Sequence, residues 1–182
     1  MTVLRTPRLE LRPLTLAEAS DLYDVLNHED VGRFLLDGER VSWEWVEAEI
    51  GTSEEGFRTA GRGLWGIRER GSKELAGFVG LRPFFQPPEL QLLYGLLPQY
   101  WGRGLGSEAA AAVVDHAVHD LALDPILAAT DRPNEKSIRV LEGLGFRRVK
   151  ETDEGLWGTL YYELSADDWR LTYPRRLEER HP

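Results

Sequence analysis

A run of glycines past the middle of the chain contains the residues best suited to bind a charged ligand. Within residues 101–107, Gly102, Gly104 and Gly106 alternate with larger residues, which lets the backbone turn tightly and bring its amides close to a ligand. Apolar side chains then recur at helical spacing from Ser107 to Leu121, so a helix should begin at the end of the run. The first amides of a helix lack partners and carry about half a positive charge. The run therefore predicts a binding site for an anion such as a phosphate group.

Three kinds of phosphate-binding loop could explain this run. A Walker loop ends in Gly-Lys-Ser or Gly-Lys-Thr, but Gly106 is followed by Ser107 and Glu108, so the run is not a Walker loop. A dinucleotide fingerprint has the spacing G-x-G-x-x-G near the start of a βαβ chain, and the spacing G-x-G-x-G at this position is a poor match. The third kind is the coenzyme A loop of the GCN5-related N-acetyltransferase (GNAT) superfamily, Gln/Arg-x-x-Gly-x-Gly/Ala. The chain resembles it at Gly104 and Gly106, while Trp101 stands where that pattern has Gln or Arg.

A second motif makes the resemblance more specific. Asn134, Ser137 and the Leu-Gly-Phe run at 144–146 are similar to the superfamily's other signature, Asn-x-x-Ser followed by Leu-Gly-Phe. The run Thr-Pro-Arg-Leu-Glu-Leu-Arg at 6–12 and the residues at 100–109 resemble the branch related to the ribosomal-protein N-acetyltransferases RimJ and RimL. The resemblance covers nearly the whole chain. Asn134 is also a good helix N-cap, a role that needs no ligand.

The rest of the chain predicts the elements that would hold these motifs. Alternating residues from Leu90 to Leu96 predict a strand and the run Ile126–Thr130 predicts another, so the helix between them completes a right-handed βαβ unit. Further strands are expected at 8–14, 64–68, 75–81, 146–150 and 157–164, with a break in the chain's strand pattern at 86–88. Further helices are expected after the capping box Thr15–Glu18, after the N-cap Ser42 and from Glu135 to Leu144. The GNAT resemblance implies an α/β (α+β) fold with a mixed, mostly antiparallel central sheet of about seven strands. Its fourth and fifth strands would be splayed, and helices would cover both faces.

The composition indicates a single domain over residues 1–182, with a solvated or frayed tail from about Pro174. The 31 acidic residues outnumber the 22 Lys and Arg residues. The resulting net charge of −9 argues against nucleic-acid binding and mildly favours a cationic acceptor, although acidity can equally serve solubility alone. The chain has no cysteine, so no acyl-cysteine intermediate can form. We see no secretory signal and no apolar run near the roughly 20 residues of a membrane span, so we expect a cytoplasmic protein that does not bind membranes.

The resemblance implies transfer of an acetyl group from acetyl-CoA to a primary amine by direct attack within a ternary complex. The pantetheine arm would lie in the splayed gap, and the backbone amide of Leu96 would stabilise the negative charge that develops on the thioester oxygen. The pyrophosphate would bind the amides of residues 103–107, with positive charge added by Arg103, and Lys136 or Arg139 would meet the 3′-phosphate. The residues expected to bind coenzyme A are Leu96, Leu97, Trp101, Gly102, Arg103, Gly104, Leu105, Gly106, Ser107, Asn134, Lys136 and Arg139.

The resemblance also implies catalytic residues. Many superfamily members protonate the leaving thiolate with a tyrosine, whose position here is occupied by Leu141. In the RimJ/RimL-like branch Ser137 is the implied substitute, and Asn134 would bind a cofactor amide or a water. Gln91 stands where several relatives carry a glutamate, and a glutamine cannot take a proton. The base would be reached through a chain of waters or would be a later carboxylate, for which we name Glu163 beside Glu151, Asp153 and Glu154. No metal site is expected.

Two other functions are compatible with the sequence. The absent tyrosine and Gln91 would also suit a CoA-binding sensor that has lost catalysis, and the glycine run alone would suit a nucleotide-binding protein. The acceptor is open between a protein N-terminus, an antibiotic-like or polyamine small molecule and an amino acid. Phe34, Trp43 and Trp45 could line its cleft, with residues 31–36 and the helix from about Trp43 forming one wall, although aromatics at such spacing are more often core. Exposed strand edges in this fold often pair, which suggests a homodimer.

Overall fold

An open, twisted sheet forms the centre of the protein in the computed structural model, which describes residues 2–35, 38–84, 88–153 and 156–178. Its strands are β1 Leu4–Arg5, β2 Leu9–Pro13, β3 Leu64–Glu69, β4 Gly77–Phe84, β5 Glu89–Leu96, β6 Ile126–Asp131, β7 Arg147–Thr152 and β8 Thr159–Leu164. Within these ranges the sheet has eight strands in the order β1-β2-β3-β4-β5-β6-β8-β7. Neighbouring strands are antiparallel except for β5 and β6, which are parallel. The expected mixed, mostly antiparallel sheet is confirmed, and the short β1 adds an edge strand that the sequence analysis did not include.

Helices cover both faces of this sheet, as expected. They are α1 Ala19–Leu26, α2 Glu29–Gly32, α3 Trp43–Ala60, α4 Leu105–His119, α5 Glu135–Leu144 and α6 Ala166–Glu178. None of the helices in the described ranges is long and apolar enough to cross a membrane. The expected tail from Pro174 overlaps the end of α6, and residues 179–182 lie outside the described residues.

Two hydrophobic cores lie on opposite faces of the sheet. Alternation along β3 directs Trp65 and Ile67 to the core shared with α4, α5 and α6, whereas Leu64 belongs to the core shared with α1 and α3. The first core also contains the alanines and valines on the apolar face of α4, and the second contains Leu22 of α1 and Ile50 of α3. The sheet is thus anchored from both sides, and the opening described below lies between the two cores.

The helix boundaries follow the local signals in the sequence. The carboxylate of Glu18 accepts a hydrogen bond from the Thr15 amide at 2.9 Å, and Ser42 Oγ accepts one from the Trp45 amide at 3.2 Å. Both expected caps are confirmed. The helix α4 begins at Leu105, two residues before the expected start, because Gly104 has a left-handed φ of 72° and serves as its N-cap. The loop amides and the helix amides therefore form one continuous surface.

The central strands β5 and β6 part along their length. They pair only at Gln91 with Leu127 and at Leu92 with Ala128. Beyond these two rungs β5 runs to Leu96 and β6 to Asp131 without further pairing between them. The expected fourth and fifth strands are β5 and β6 here, because the short β1 shifts the numbering by one, so the expected splay is confirmed. It leaves backbone groups of both strands facing a gap.

Candidate active site

Two cavities meet at this gap. The first, which we call the loop cleft, has a volume of about 660 Å³ and lies between the glycine run and the start of α5. The second, which we call the rear pocket, has a volume of about 390 Å³ and lies on the face covered by α1 and α3. Phe34 and Leu35 line both cavities. Ligands bound in the two cavities would therefore approach each other at the opening in the sheet.

The glycine run presents unpartnered amides to the loop cleft. Gly102, Gly104, Gly106 and Ser107 line the cleft. Within the described residues no group accepts a hydrogen bond from the amides of residues 103–107. These amides surround the N-terminus of the 15-residue helix α4, so their partial positive charges add to that of the helix. The loop can bind a phosphate through its backbone alone.

Residues near the N-terminus of the chain hold this loop in place. The buried carboxylate of Glu108 accepts hydrogen bonds from Thr6 Oγ1 at 2.5 Å, from the Arg8 amide at 3.0 Å and from Arg8 Nε at 2.6 Å. The Arg8 guanidinium also donates to the Arg103 carbonyl at 2.8 Å through Nη1. This role was not predicted, although Thr6 and Arg8 belong to the N-terminal motif at residues 6–12.

The cationic side chains are placed partly as expected. Lys136 Nζ lies 3.2 Å from the centroid of the Trp101 ring, and Trp101 Nε1 donates to the Leu96 carbonyl at 2.7 Å. Lys136, Arg139 and Asn134 line the loop cleft. The Arg103 side chain does not, because its guanidinium pairs with Glu69 at 2.5 and 3.1 Å. That pairing also holds the pKa of Glu69 below its usual value.

Leu96 and Leu97 differ in what their amides can do. The Leu97 amide donates to the Ala76 carbonyl at 2.9 Å, and Leu97 does not line the loop cleft. Because backbone groups alternate sides along an antiparallel strand, the Leu96 amide faces away from β4 and into the gap. A donor in this position can stabilise negative charge on an oxygen placed in the gap.

Two hydroxyl groups lie together in the loop cleft. Tyr94 Oη is 2.9 Å from Ser137 Oγ and donates to the Ser137 carbonyl at 3.2 Å. Burial raises the pKa of Tyr94 well above its usual value, so the phenol stays protonated. Asn134 Oδ1 accepts a hydrogen bond from the Ser137 amide at 3.3 Å, which is the N-cap arrangement. Leu141 is buried in the core and offers no donor. Tyr94 was missed, although alternation with Leu92 and Leu96 could have placed it on this face.

The rear pocket contains polar groups that the sequence analysis did not assign to the site. Glu49 on α3 and Arg82 on β4 form an ion pair at 2.6 Å, and Arg82 also lies over the Phe84 ring at 4.8 Å. Asp131 lines the pocket from the end of β6. Continuing the β5–β6 register places Asp131 across the gap from Gly95, next to Leu96. Its position at the end of a parallel strand, where the sheet opens, was the signal that could have identified it.

The proposed bases that the structure describes, Glu151, Asp153 and Glu163, lie outside both cavities. Glu163 is exposed on β8 and lines neither cavity. Glu151 pairs with Arg132 at 2.8 Å, and the side chain of Asp153 is 96% exposed. Glu154 lies outside the described residues. Asp131 and Glu49 are the carboxylates that line the rear pocket in the part of the chain that the structure describes.

The aromatic candidates for the acceptor cleft differ in position. Phe34 and Trp45 line the rear pocket, whereas Trp43 is 41% exposed and packs on Tyr23 with ring centroids 5.8 Å apart. No group of three or more histidine, cysteine, aspartate and glutamate side chains in the described ranges could hold a metal ion.

Comparisons with known proteins agree with this geometry. Residues 8–147 match the family model described as the acetyltransferase (GNAT) domain. The uncharacterised N-acetyltransferase YoaA of Bacillus subtilis (strain 168) is 30% identical over 148 residues, which cover 80% of this chain and 83% of YoaA. The crystal structure of an acetyltransferase from Agrobacterium tumefaciens str. C58 superposes with a TM-score of 0.77 at 25% identity, covering 90% of this chain and 94% of that one. RimL, a ribosomal L7/L12 alpha-N-protein acetyltransferase solved with coenzyme A, superposes with a TM-score of 0.77 at 15% identity, covering 92% and 99%. The match over residues 8–147 and the identity to YoaA show that the chain belongs to the GNAT acetyltransferase family.

Proposed function

We propose that this protein is an acetyl-CoA-dependent N-acetyltransferase that acetylates a primary amine by direct attack within a ternary complex. The observation that carries the proposal is the parted sheet, in which the Leu96 amide faces a gap between two cavities. One cavity is built for a phosphate-bearing ligand and the other has carboxylates in its wall. A cosubstrate and an amine can therefore meet at a backbone donor.

The loop cleft fits coenzyme A in size and in chemistry. The amides of residues 103–107 would hold the pyrophosphate, and Lys136 with Arg139 would supply positive charge for a further phosphate. The Tyr94 amide, like that of Leu96, faces the gap and would pair with an amide of the pantetheine arm. Acetyl-CoA, when bound, supplies an acetyl group activated as a thioester.

The chain's own residues supply the rest of the reaction. The Leu96 amide stabilises the negative charge that develops on the acetyl oxygen. Asp131 binds the acceptor's ammonium group and takes one proton from it, which leaves the neutral amine a lone pair with which to attack the acetyl carbon. The nitrogen gives its second proton to water once the carbon–nitrogen bond has formed. Ser137, held by Tyr94, gives a proton to the sulfur as the carbon–sulfur bond breaks. Asp131 takes the place of Glu163 in this scheme, because Glu163 lines neither cavity.

We also assign the protein to the RimJ/RimL-like branch of the family. The motif at residues 6–12 supports this, since its Thr6 and Arg8 hold Glu108 beneath the coenzyme loop. Within this branch the acceptor would be the amine of a small molecule or of a protein N-terminus.

Two measurements test the function. Calorimetric titration with acetyl-CoA should show binding with micromolar to submillimolar affinity, and a thiol-release assay with a panel of amines should show amine-dependent turnover. A CoA-binding sensor is favoured by Leu141, whose buried side chain cannot protonate a thiolate. Such a sensor would bind acetyl-CoA but release no thiol above background hydrolysis. No binding at millimolar acetyl-CoA would refute both functions.

A further inference from the structure

The carbonyl of Leu96 has a side-chain partner at the gap. In an antiparallel ladder the amide and the carbonyl of one residue point to the same side, so the Leu96 carbonyl faces the gap together with the Leu96 amide. Leu96 is only 7% exposed, and a buried carbonyl without a partner is costly. Trp101 Nε1 donates a hydrogen bond to this carbonyl at 2.7 Å. The indole therefore takes the place of the strand β6, whose pairing with β5 ends at Leu92.

A short turn brings the indole to this position. Residues 98–100 form a single 3₁₀ turn directly after β5, and the Trp101 amide donates to the Pro98 carbonyl at 3.0 Å. Proline suits the start of such a turn because its φ is already fixed and it needs no partner for an amide. The turn carries the chain back far enough for the Trp101 indole to reach Leu96, five residues earlier. The contact therefore joins the end of β5 to the start of the glycine run.

Two hydrogen bonds hold the peptide group between Leu96 and Leu97. Its carbonyl accepts one from Trp101 Nε1 on the side of the gap, and its amide donates one to the Ala76 carbonyl at 2.9 Å on the β4 side. A peptide group is planar, so fixing it from both sides fixes its orientation. The Leu96 amide is separated from this plane by the Leu96 Cα alone. The direction of the oxyanion donor therefore depends on the hydrogen bond from Trp101.

The face of the same indole holds a cation. Lys136 lies in the first turn of α5, with Nζ 3.2 Å from the centroid of the Trp101 ring, and both residues line the loop cleft. An ammonium over an indole face is attracted by the electrons of the ring. Lys136 is otherwise exposed, so the ring keeps its charge at the wall of the cleft.

Resting on the proposed function, we propose that Trp101 is a positioning residue with two separable roles. Through its N–H it directs the Leu96 amide at the acetyl oxygen, which governs the rate of acetyl transfer. Through its ring it keeps Lys136 beside the glycine run, where the ammonium meets a phosphate of acetyl-CoA and adds to the affinity. Trp101 forms no bond with the reacting atoms and moves no proton. The phosphate site and the gap are thus coupled through one side chain.

Two substitutions of Trp101 separate the two roles. Trp101→Phe retains an aromatic face for Lys136 but has no donor, so acetyl transfer should slow about tenfold while the affinity for acetyl-CoA changes by less than about twofold. Trp101→Gln has no ring but retains a donor as many bonds from Cβ as indole Nε1. It should restore most of the transfer rate lost in Trp101→Phe, while the affinity falls about 2–5-fold. The rate is measured in a single turnover at saturating acetyl-CoA and amine, and the affinity by calorimetry.

A variant of Lys136 tests the role of the ring. Lys136→Gln removes the ammonium and should weaken acetyl-CoA binding about tenfold. The double variant Trp101→Gln with Lys136→Gln should bind acetyl-CoA no more weakly than Lys136→Gln alone, because the ring acts through the ammonium. A full additional loss of affinity in the double variant would overturn this role, since the ring would then act on the coenzyme without the lysine.

Hydrogen exchange tests the hold on the peptide group without any turnover. In Trp101→Phe only Ala76 holds this group, so the Leu97 amide should exchange about tenfold faster by NMR, whereas Trp101→Gln should retain the slow exchange. The Ala76 amide, which donates to the Ile67 carbonyl at 2.8 Å, is the reference for global unfolding. Unchanged exchange of the Leu97 amide in Trp101→Phe would overturn the role of the indole N–H.

The same measurements separate this inference from the proposed function. Turnover by the wild type, with parallel losses of rate and affinity in both Trp101 variants, refutes the two roles and leaves the acetyltransferase function intact. A wild-type protein that binds acetyl-CoA without turnover instead refutes the proposed function and the role of Trp101 in the rate. The affinities of the Trp101 and Lys136 variants then still decide the role of the ring.

Discussion

Replacing Gly104 by valine tests whether the loop amides bind acetyl-CoA. Gly104 has a φ of +72°, and an added Cβ would meet Arg8 Nη2 at 3.6 Å, an ordinary contact, so the protein has room for it. The cost lies in the backbone, because a left-handed conformation costs a non-glycine residue about 1–2 kcal/mol. If the free loop relaxes and must return to this conformation to bind, the affinity falls by about 5–30-fold. The valine methyl groups also crowd the amides, so we expect a loss near or above the upper end of that range.

Gly71→Val is the matched control for this experiment. Gly71 has a φ of +85° in the turn between β3 and β4, with no atom within 4 Å of an added Cβ, so it imposes a similar strain away from the cleft. Gly71→Val should lower Tm by about 2–8 °C, which is what about 1–2 kcal/mol does in a chain of this size, and Gly104→Val should lower Tm by less because its free loop relaxes. Only Gly104→Val should weaken acetyl-CoA binding in a calorimetric titration. Wild-type affinity in Gly104→Val, together with a smaller loss of Tm than in Gly71→Val, would show that the loop is not the coenzyme site.

Three further variants test the proposed catalytic and positioning residues. Tyr94→Phe removes the hydroxyl 2.9 Å from Ser137 Oγ and should lower kcat about tenfold, with the KM for acetyl-CoA unchanged. The double variant Tyr94→Phe with Ser137→Ala should be no slower than Ser137→Ala alone, because Tyr94 acts through Ser137. A full additional loss in the double variant would show that the two hydroxyls act independently. Asp131→Asn should lower kcat/KM for the amine by about 10²-fold or more, because it removes the proposed base. Glu163→Gln should retain the wild-type kcat/KM in the same assay. The reverse pattern would restore Glu163 as the base. Glu108→Gln should raise the KM for acetyl-CoA about tenfold and lower Tm, because the charge-assisted hydrogen bonds of the Glu108 carboxylate position the loop. An unchanged KM would show that the loop does not depend on these hydrogen bonds.

The elements that could be predicted from sequence are those specified by local patterns. The capping box at Thr15–Glu18 and the glycine run followed by an apolar helix each involve residues within a few positions of one another. Their geometry follows from backbone conformations that only those residue types adopt readily. The parallel strand after the helix follows in turn, because a strand and helix of this length return the chain to the same sheet. The splay depended on the family resemblance, since nothing local forces two strands apart.

The site residues that were missed depend on contacts between distant parts of the chain. Glu108 bonds to Thr6, 102 residues away, and Glu49 pairs with Arg82, 33 residues away. Arg103 is the converse case: its place in the glycine run suggested a phosphate ligand, but its guanidinium pairs with Glu69, 34 residues away. A long charged side chain can reach any of several partners, so its sequence position does not determine its contact. The backbone donors of the loop have no such freedom, and their placement was predictable.

The opening in the sheet has a cause in the packing of β4 against β5. A Cβ added at Gly77 would lie 2.1 Å from the Gly95 carbonyl oxygen, and one added at Gly95 would lie 2.8 Å from Phe78 Cε1. Only glycines allow the two strands to approach this closely, so β5 stays paired with β4 as far as the Leu97 amide. The divergence therefore falls entirely between β5 and β6, where the chain must leave the sheet to form the glycine loop. Because the same divergence turns the Leu96 amide toward the gap and leads directly into the loop, the oxyanion donor and the phosphate site are linked by one short piece of backbone. A change that loosened β4 from β5 would move both at once. Gly77 therefore matters to the site although it lines neither cavity, and Gly95 matters for this packing as well as for lining the loop cleft.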